Sequence, residues 1–376
     1  MKRIYLDHAA TSPMIPEVTR VITEAMELYI GNPSSIHSEG RTARAKIEES
    51  RKKIARLLNA SIGEIFFTSG GTEANNTAIK CAVRDLQIQR IISTAIEHHA
   101  VLHSIEAMRR DFKVDIVYLP LDNQGRISLN DLKDCLTSSA QRTLVTIMHG
   151  NNEIGNLFPI AEIAGICEQF GAWMHTDAVQ TIGHFPVNLQ TTKVHFLSAS
   201  AHKFNGPKGT GILFVRQGMR INPWIDGGGQ ERNFRAGTES THQILGMATA
   251  LEVAYAHLEQ RQAHQKDLKQ YFKTRILSIN NQIYINGDQE QSLHHVLSVS
   301  FPPSPKSDLL LLQLDMAGVS ASGGSACTSG AEQESHVLQA IGHPAERKTI
   351  RFSFSHLNTR EEIDYVLDLL AGWYTP

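Results

Sequence analysis

Ile65-Phe66-Phe67-Thr68-Ser69-Gly70-Gly71-Thr72-Glu73-Ala74-Asn75 reads as a short apolar strand, a glycine turn and the start of a helix that continues to Val83. Free N–H groups and the positive end of the helix dipole make such a turn a phosphate site. No Gly-Lys-Ser/Thr follows, so it is not a nucleotide P-loop. The same texture repeats outward from this stretch. Further short apolar runs lie at Arg90–Ala95, Val114–Pro120, Thr143–His149, Ala172–Ala178, Val194–Ser200 and Gly209–Val215. Several are β-branched and nearly uninterrupted, as strands buried on both faces of a parallel sheet are. Helical stretches such as Ala100–Arg110 and Ile160–Phe170 lie between them and are long enough for crossovers. The expected class is α/β, with a mainly parallel sheet of about seven strands.

The texture changes after Thr238. Glu239 to about Ile279 carries apolar residues at helical spacing and predicts a long helix with a break. His295–Phe301, Leu309–Met316, Gln333–Ile341, Thr349–Ser355 and Glu361–Trp373 then read as a smaller α+β unit, within which Pro302-Pro303-Ser304-Pro305 is a rigid turn. The 376-residue length supports two domains.

Lys plus Arg number 36 against 38 Asp plus Glu, which argues against a nucleic-acid partner held by net charge. The N-terminus turns polar at Asp7 and no stretch approaches 18 apolar residues, so neither a signal peptide nor a membrane span is expected. A cytoplasmic protein is the expectation. Cys81, Cys135, Cys167 and Cys327 contain no C-x-x-C, so neither a cysteine-only zinc site nor a disulfide framework is expected.

Four motifs carry chemistry. In Ser198-Ala-Ser-Ala-His-Lys203-Phe-Asn-Gly206 a strand delivers a His and a Lys into a glycine-rich turn; Lys203 is either a Schiff-base lysine or a solvated one. In His175-Thr-Asp177-Ala-Val-Gln180 the aspartate ends a buried strand, where open α/β sheets bind ligands. It could pair with a protonated ring nitrogen or cap the next helix. The glycine turn at Thr68–Asn75 is the third. The fourth, Ala321-Ser-Gly-Gly-Ser-Ala-Cys327-Thr-Ser-Gly330, has little to bury and reads as a mobile, exposed loop whose thiol is accessible or a bystander. The other three cysteines fall in helical patterns and read as packing residues. His99 and His103 would share a helix face, but no third metal ligand is identifiable, so no metal is assigned. Stacking of one imidazole from Glu97-His98-His99 on a flat ring is the other use of this cluster.

Together these parts resemble the cysteine desulfurases of the NifS-like type, within fold type I of the pyridoxal-phosphate enzymes. The resemblance runs from Tyr5-Leu-Asp-His-Ala-Ala-Thr11 to Arg351-Phe-Ser, through Gly31-Asn-Pro-Ser-Ser, His149-Gly-Asn-Asn-Glu-Ile-Gly155, Arg235-Ala-Gly-Thr238 and Gly324-Ser-Ala-Cys327. It implies a large cofactor domain at residues 15–255 and a small domain built from 1–14 and 256–376. It implies that Lys203 binds pyridoxal 5'-phosphate covalently, Asp177 holds the ring nitrogen, Gln180 the phenolic oxygen, and His98 stacks on the ring. Thr72, Ser200 and His202 would bind the phosphate, and Thr238 the phosphate of the other subunit in a homodimer with shared sites. Asn152 and Arg351 would hold the carboxylate of L-cysteine, and Cys327 would take its sulfur as a persulfide for a sulfur-acceptor protein, in iron–sulfur cluster assembly or thio-cofactor and tRNA supply. Two positions depart from the pattern: Ser355-His356 stands where relatives commonly carry Gly-Arg, and Gly323 where a serine is common. A selenocysteine lyase, an aminotransferase of the same fold, or a non-catalytic sulfur-relay protein are the competing readings.

Overall fold

The computed structural model describes residues 3–323 and 335–374. Its largest sheet has seven strands, in the order Ile65–Thr68, Gly211–Val215, Phe196–Ser200, Trp173–Asp177, Thr143–Thr146, Arg90–Ser93 and Asp115–Tyr118. All seven apolar runs of the sequence are its strands. Pairing is parallel except on both sides of Gly211–Val215. The interior strands Thr143–Thr146 and Phe196–Ser200 are buried at every position, whereas the edge strand Asp115–Tyr118 is half-exposed.

Neighbouring residues along each strand enter different cores, because successive side chains point to opposite faces. Phe67, Ile92, Val145, Leu197 and Ile212 belong to one hydrophobic cluster; Phe66, Ile91, Leu144, Phe196 and Leu213 belong to another. The helix Gly71–Leu86 packs in the second with Ala74, Ala78 and Ile79, and the helix Ile160–Gln169 packs in the first with Ile163 and Cys167. That two-sided cover is why the strands tolerate such continuous apolar runs.

The long helical stretch breaks at His257, which lies between the helices Thr241–Ala256 and Leu258–Ile279. Beyond it, a second sheet pairs Ser322–Gly323, Lys348–Ser353, Val296–Phe301 and Tyr284–Ile285, all antiparallel. Phe272, Phe301, Phe352 and Leu370 build its core, and Ile4 and Leu6 from the chain's beginning join them. The strand Ile4–Tyr5 pairs in parallel with Val319–Ser320. This pairing leads Asp7–Thr11 toward Lys203.

Cys81 and Cys167 are buried in helices, and burial pushes both thiols up to about 12. Cys135 is helical but only half-buried. The assignment made to Cys327 falls outside the described residues. No helix among those described is long and apolar enough to cross a membrane.

Candidate active site

Loops leaving the carboxyl ends of the strands wall a cavity of about 300 Å3. The Thr68 strand leads to Gly71 and Thr72, the Ser93 strand to His98 and His99, and the Thr146 strand to Met148 through Glu153. Asp177 and Ser200 are themselves strand ends. Open α/β sheets gather ligands at this edge for the same geometric reason.

Asp177 is almost wholly buried and held from two sides. Its Oδ2 accepts from Asn75 Nδ2 at 2.6 Å, and its Oδ1 accepts from the Val179 backbone N–H at 2.9 Å. Asn75 sits one turn into the Gly71–Leu86 helix, on the face that Gly71 begins. A Cβ on Gly71 would lie 2.6 Å from Val179 Cγ2, so only glycine lets the helix N-terminus come this close. No side chain caps that N-terminus, which leaves its N–H groups beside Thr72 and Ser200 for an anion.

Lys203 Nζ donates to Ala9 O at 2.7 Å and to Ala10 O at 2.8 Å. Gln180 Nε2 donates to the same Ala9 carbonyl at 2.9 Å. His202 Nδ1 lies 3.1 Å from Thr11 Oγ1, and burial, with Lys203 and Lys208 close by, holds this imidazole down at about 4. The Tyr5–Thr11 segment thus supports the lysine from behind.

His98 and His99 both line the cavity, but their surroundings differ. His98 caps the helix His99–Phe112, accepting from the Ala100 N–H at 3.1 Å. Its pKa is lowered by burial; Asp177 acts on it in the raising direction and Lys203 in the lowering one. The His99 ring instead lies 5.1 Å from that of His103 and 4.5 Å from that of His336. His98 is therefore the imidazole that shares the Asp177–Lys203 environment. Among the described residues, no group of three or more His, Cys, Asp or Glu is arranged to hold a metal ion.

Arg351, also in the cavity wall, is 2 % exposed, and its Nη1 donates to Asn152 O at 2.9 Å while its Nη2 donates to Asp7 Oδ1 at 2.8 Å. Among the described residues its Nε meets no acceptor. Beside it Glu153 accepts from Ser335 Oγ, and burial pushes its carboxyl up to about 7 against the opposing pull of Ser335 and Arg351. Glu97, next to His98 in the chain, is pushed up to about 8 by burial, and its Oε2 has no partner among the described residues.

Nine of the residues to which the resemblance gives roles meet here: Thr72, His98, Asn152, Asp177, Gln180, Ser200, His202, Lys203 and Arg351. Thr238 does not; it is exposed and lines no part of its own chain's cavity. Sequence reasoning missed Asp7, Asn75 and Glu153. Asp7, Asn75 and Glu153 all lie inside quoted motifs but carry no chemical signal there, Asn75 having only its helical phase with Gly71. The donor set fits a flat phosphorylated aldehyde: an amine, a carboxylate for a ring nitrogen, an imidazole at the ring, and an uncapped helix N-terminus with hydroxyls.

Comparison with known proteins gives the family. The chain is 43% identical over 375 residues to "Cysteine desulfurase IscS" of Dictyoglomus turgidum, covering 98% of this chain and 94% of that one. A solved "NIFS-LIKE PROTEIN" superimposes with a TM-score of 0.91 at 34% identity, covering 99% of each chain. The solved structure "SspA in complex with cysteine" gives a TM-score of 0.80 at 30% identity, over 93% of this chain and 98% of that one. With the class-V aminotransferase model matching residues 4–366, the chain belongs to the aminotransferase class-V family.

Proposed function

We propose that this protein is a pyridoxal-phosphate-dependent cysteine desulfurase, converting L-cysteine to L-alanine and passing the sulfur to Cys327. One observation carries the reading: a single cavity is lined both by Lys203 and Asp177 and by Arg351 and Asn152. An α-amino acid needs both, since its amine must reach the cofactor while its carboxylate is clamped.

Lys203 would bind the cofactor, Asp177 its ring nitrogen and Gln180 its phenolic oxygen, with His98 against the ring. Thr72, Ser200 and His202 would take the phosphate, joined by Thr238 of a second copy in a homodimer. Bound there, pyridoxal phosphate supplies an electron sink for the substrate's α-carbon. Asp177, fixed by Asn75 and Val179, keeps a positive charge at the ring nitrogen. Arg351 offers the substrate carboxylate its Nε and shares Nη2 with Asp7. Lys203 Nζ carries the proton removed from the α-carbon, and the Cys327 thiolate takes the sulfur as a persulfide.

Residues 15–255 form the large cofactor domain in this reading, with 1–14 and 256–376 as the small one; the joining of Ile4 and Leu6 to the Phe272–Phe352 core supports it. The sulfur then passes to an acceptor protein. Incubation of the cofactor-loaded enzyme with L-cysteine and a dithiol should release alanine and sulfide in equal amounts. A Cys327→Ala enzyme that kept full sulfide release would refute the proposed role of the thiol, and colourless protein that takes up no pyridoxal phosphate would refute the whole reading.

A further inference from the structure

Lys203 borders a second, smaller cavity, of about 10 Å3, whose other walls include His8, His184, Arg261, Gln265 and His356. That volume is the room of about one water-sized sphere. Two wall groups are left without a well-made hydrogen bond. His8 is 6% exposed, and among the described residues neither ring nitrogen makes a hydrogen bond of good geometry, although the Tyr5 backbone, Asp7 and Asn358 lie close enough to act on it in the raising direction. Arg261, half-buried on the helix Leu258–Ile279, meets no hydrogen-bond acceptor among the described residues; Glu17 acts on it only through charge. A buried polar group without a partner costs about 1–3 kcal/mol, and more when charged.

We propose that this cavity is a binding site for a single-atom monovalent anion, chloride being the simplest, held between the Arg261 guanidinium and His8. The sign of the charge separates an anion from a water. No carboxylate lines the cavity, while one permanent cation and three imidazoles do. Burial and, for His184 and His356, the charge of Arg261 hold these imidazoles down at about 4, while Asp7 acts on His8 in the raising direction; the imidazoles are neutral donors and Arg261 is the permanent cation of the wall. His184 is committed elsewhere: its Nε2 lies 2.9 Å from Lys203 O and its ring stacks on His295 at 4.2 Å. His356 Nδ1 lies 3.4 Å from Ser355 Oγ, and of the remaining wall groups His8 and Arg261 are the ones that would turn N–H bonds toward the guest. The anion would sit beside the backbone of the reactive lysine without entering the larger cavity.

Crystals of the cofactor-loaded enzyme grown without halide and soaked in bromide should show an anomalous peak in this cavity. The peak should vanish in Arg261→Gln. In solution, chloride should raise the wild-type melting temperature above that in gluconate of equal ionic strength, and the difference should be lost in the variant. His8→Asn gives the same two readings if Arg261→Gln does not fold. An empty or water-filled cavity, or a peak that survives Arg261→Gln, overturns the proposal. A peak without the solution effect marks an adventitious ion only and overturns it as well.

Discussion

Arg351 spends one of its nitrogens on Asp7, 2.8 Å away, so the arginine expected to clamp a substrate already holds a carboxylate of its own chain. The same Asp7 Oδ1 accepts from Ser322 Oγ at 2.8 Å. Asp7 thereby orients the guanidinium and connects it to the strand that runs into the Cys327 segment.

Replacing Arg351 with Ala should raise KM for L-cysteine by about 10- to 100-fold, the worth of one or two charged hydrogen bonds. Asp7→Asn should raise KM by a smaller factor with kcat nearly unchanged, since a neutral oxygen orients the guanidinium less firmly. Steady-state kinetics checks both, and a wild-type KM in Arg351→Ala would remove it from the substrate clamp.

Lys203→Ala should lower turnover by at least about 10²–10⁴-fold, the range for a lost general acid–base group, and abolish covalent attachment of the cofactor. Absorbance after borohydride reduction reads the attachment directly. Asp177→Asn should keep accepting from the Val179 N–H and, with the Asn75 amide turned so that its unpartnered Oδ1 accepts, donate to Asn75 while losing charge, so it should retain bound cofactor yet turn over far more slowly.

Gly71→Ala should weaken cofactor binding by about 5- to 150-fold, because a Cβ 2.6 Å from Val179 Cγ2 must push the helix N-terminus away, a cost of about 1–3 kcal/mol. Equilibrium dialysis with pyridoxal phosphate measures this. Unchanged affinity would mean that the N-terminus makes no contact with the phosphate.

Stability should fall as the pH drops from about 6.5 to about 4. His149, His184 and His202 are held down at about 4 by burial, and His175 at about 3, so across this window the unfolded chain binds more protons. Glu153 works in the opposite direction. Its carboxyl is raised to about 7, so its favourable proton is lost as the pH climbs from the ordinary carboxylate range through 7. Urea unfolding at several pH values should show the acid loss in the wild type. Glu153→Gln should be more stable relative to wild type at pH 8 than at pH 5, and no such change would refute the buried-carboxylate account.

In Cys327→Ala, native protein should react with iodoacetamide only slowly and at Cys135. Cys81 and Cys167, with thiols pushed up to about 12, should react only after unfolding. Peptide mapping with and without denaturant reads the three sites separately.

Much of this was legible in the chain itself. Strand interiors such as Thr143–Thr146 are buried on both faces, so their apolar runs announce them. Lys203, Asp177 and the Gly70-Gly71 turn sit at strand ends, where local order already predicts the carboxyl edge of a sheet. Asn75 was invisible because its role depends on contact with Asp177, 102 residues away. Glu153 was passed over because a raised carboxyl pKa comes from burial, which no local pattern encodes.

Sequence alone determined the α/β class, the seven strands, the break in the long helix and the chemical identity of the reactive groups, because each follows from local periodicity or side-chain type. Tertiary structure alone decided that Tyr5–Thr11 lies beneath Lys203 and that Asp7 shares Arg351. It also decided that His98, not His99, stands with Asp177 and Lys203, and that Arg261 and His8 line one small cavity. These are contacts between residues far apart in the chain, and only packing brings such residues within hydrogen-bond reach.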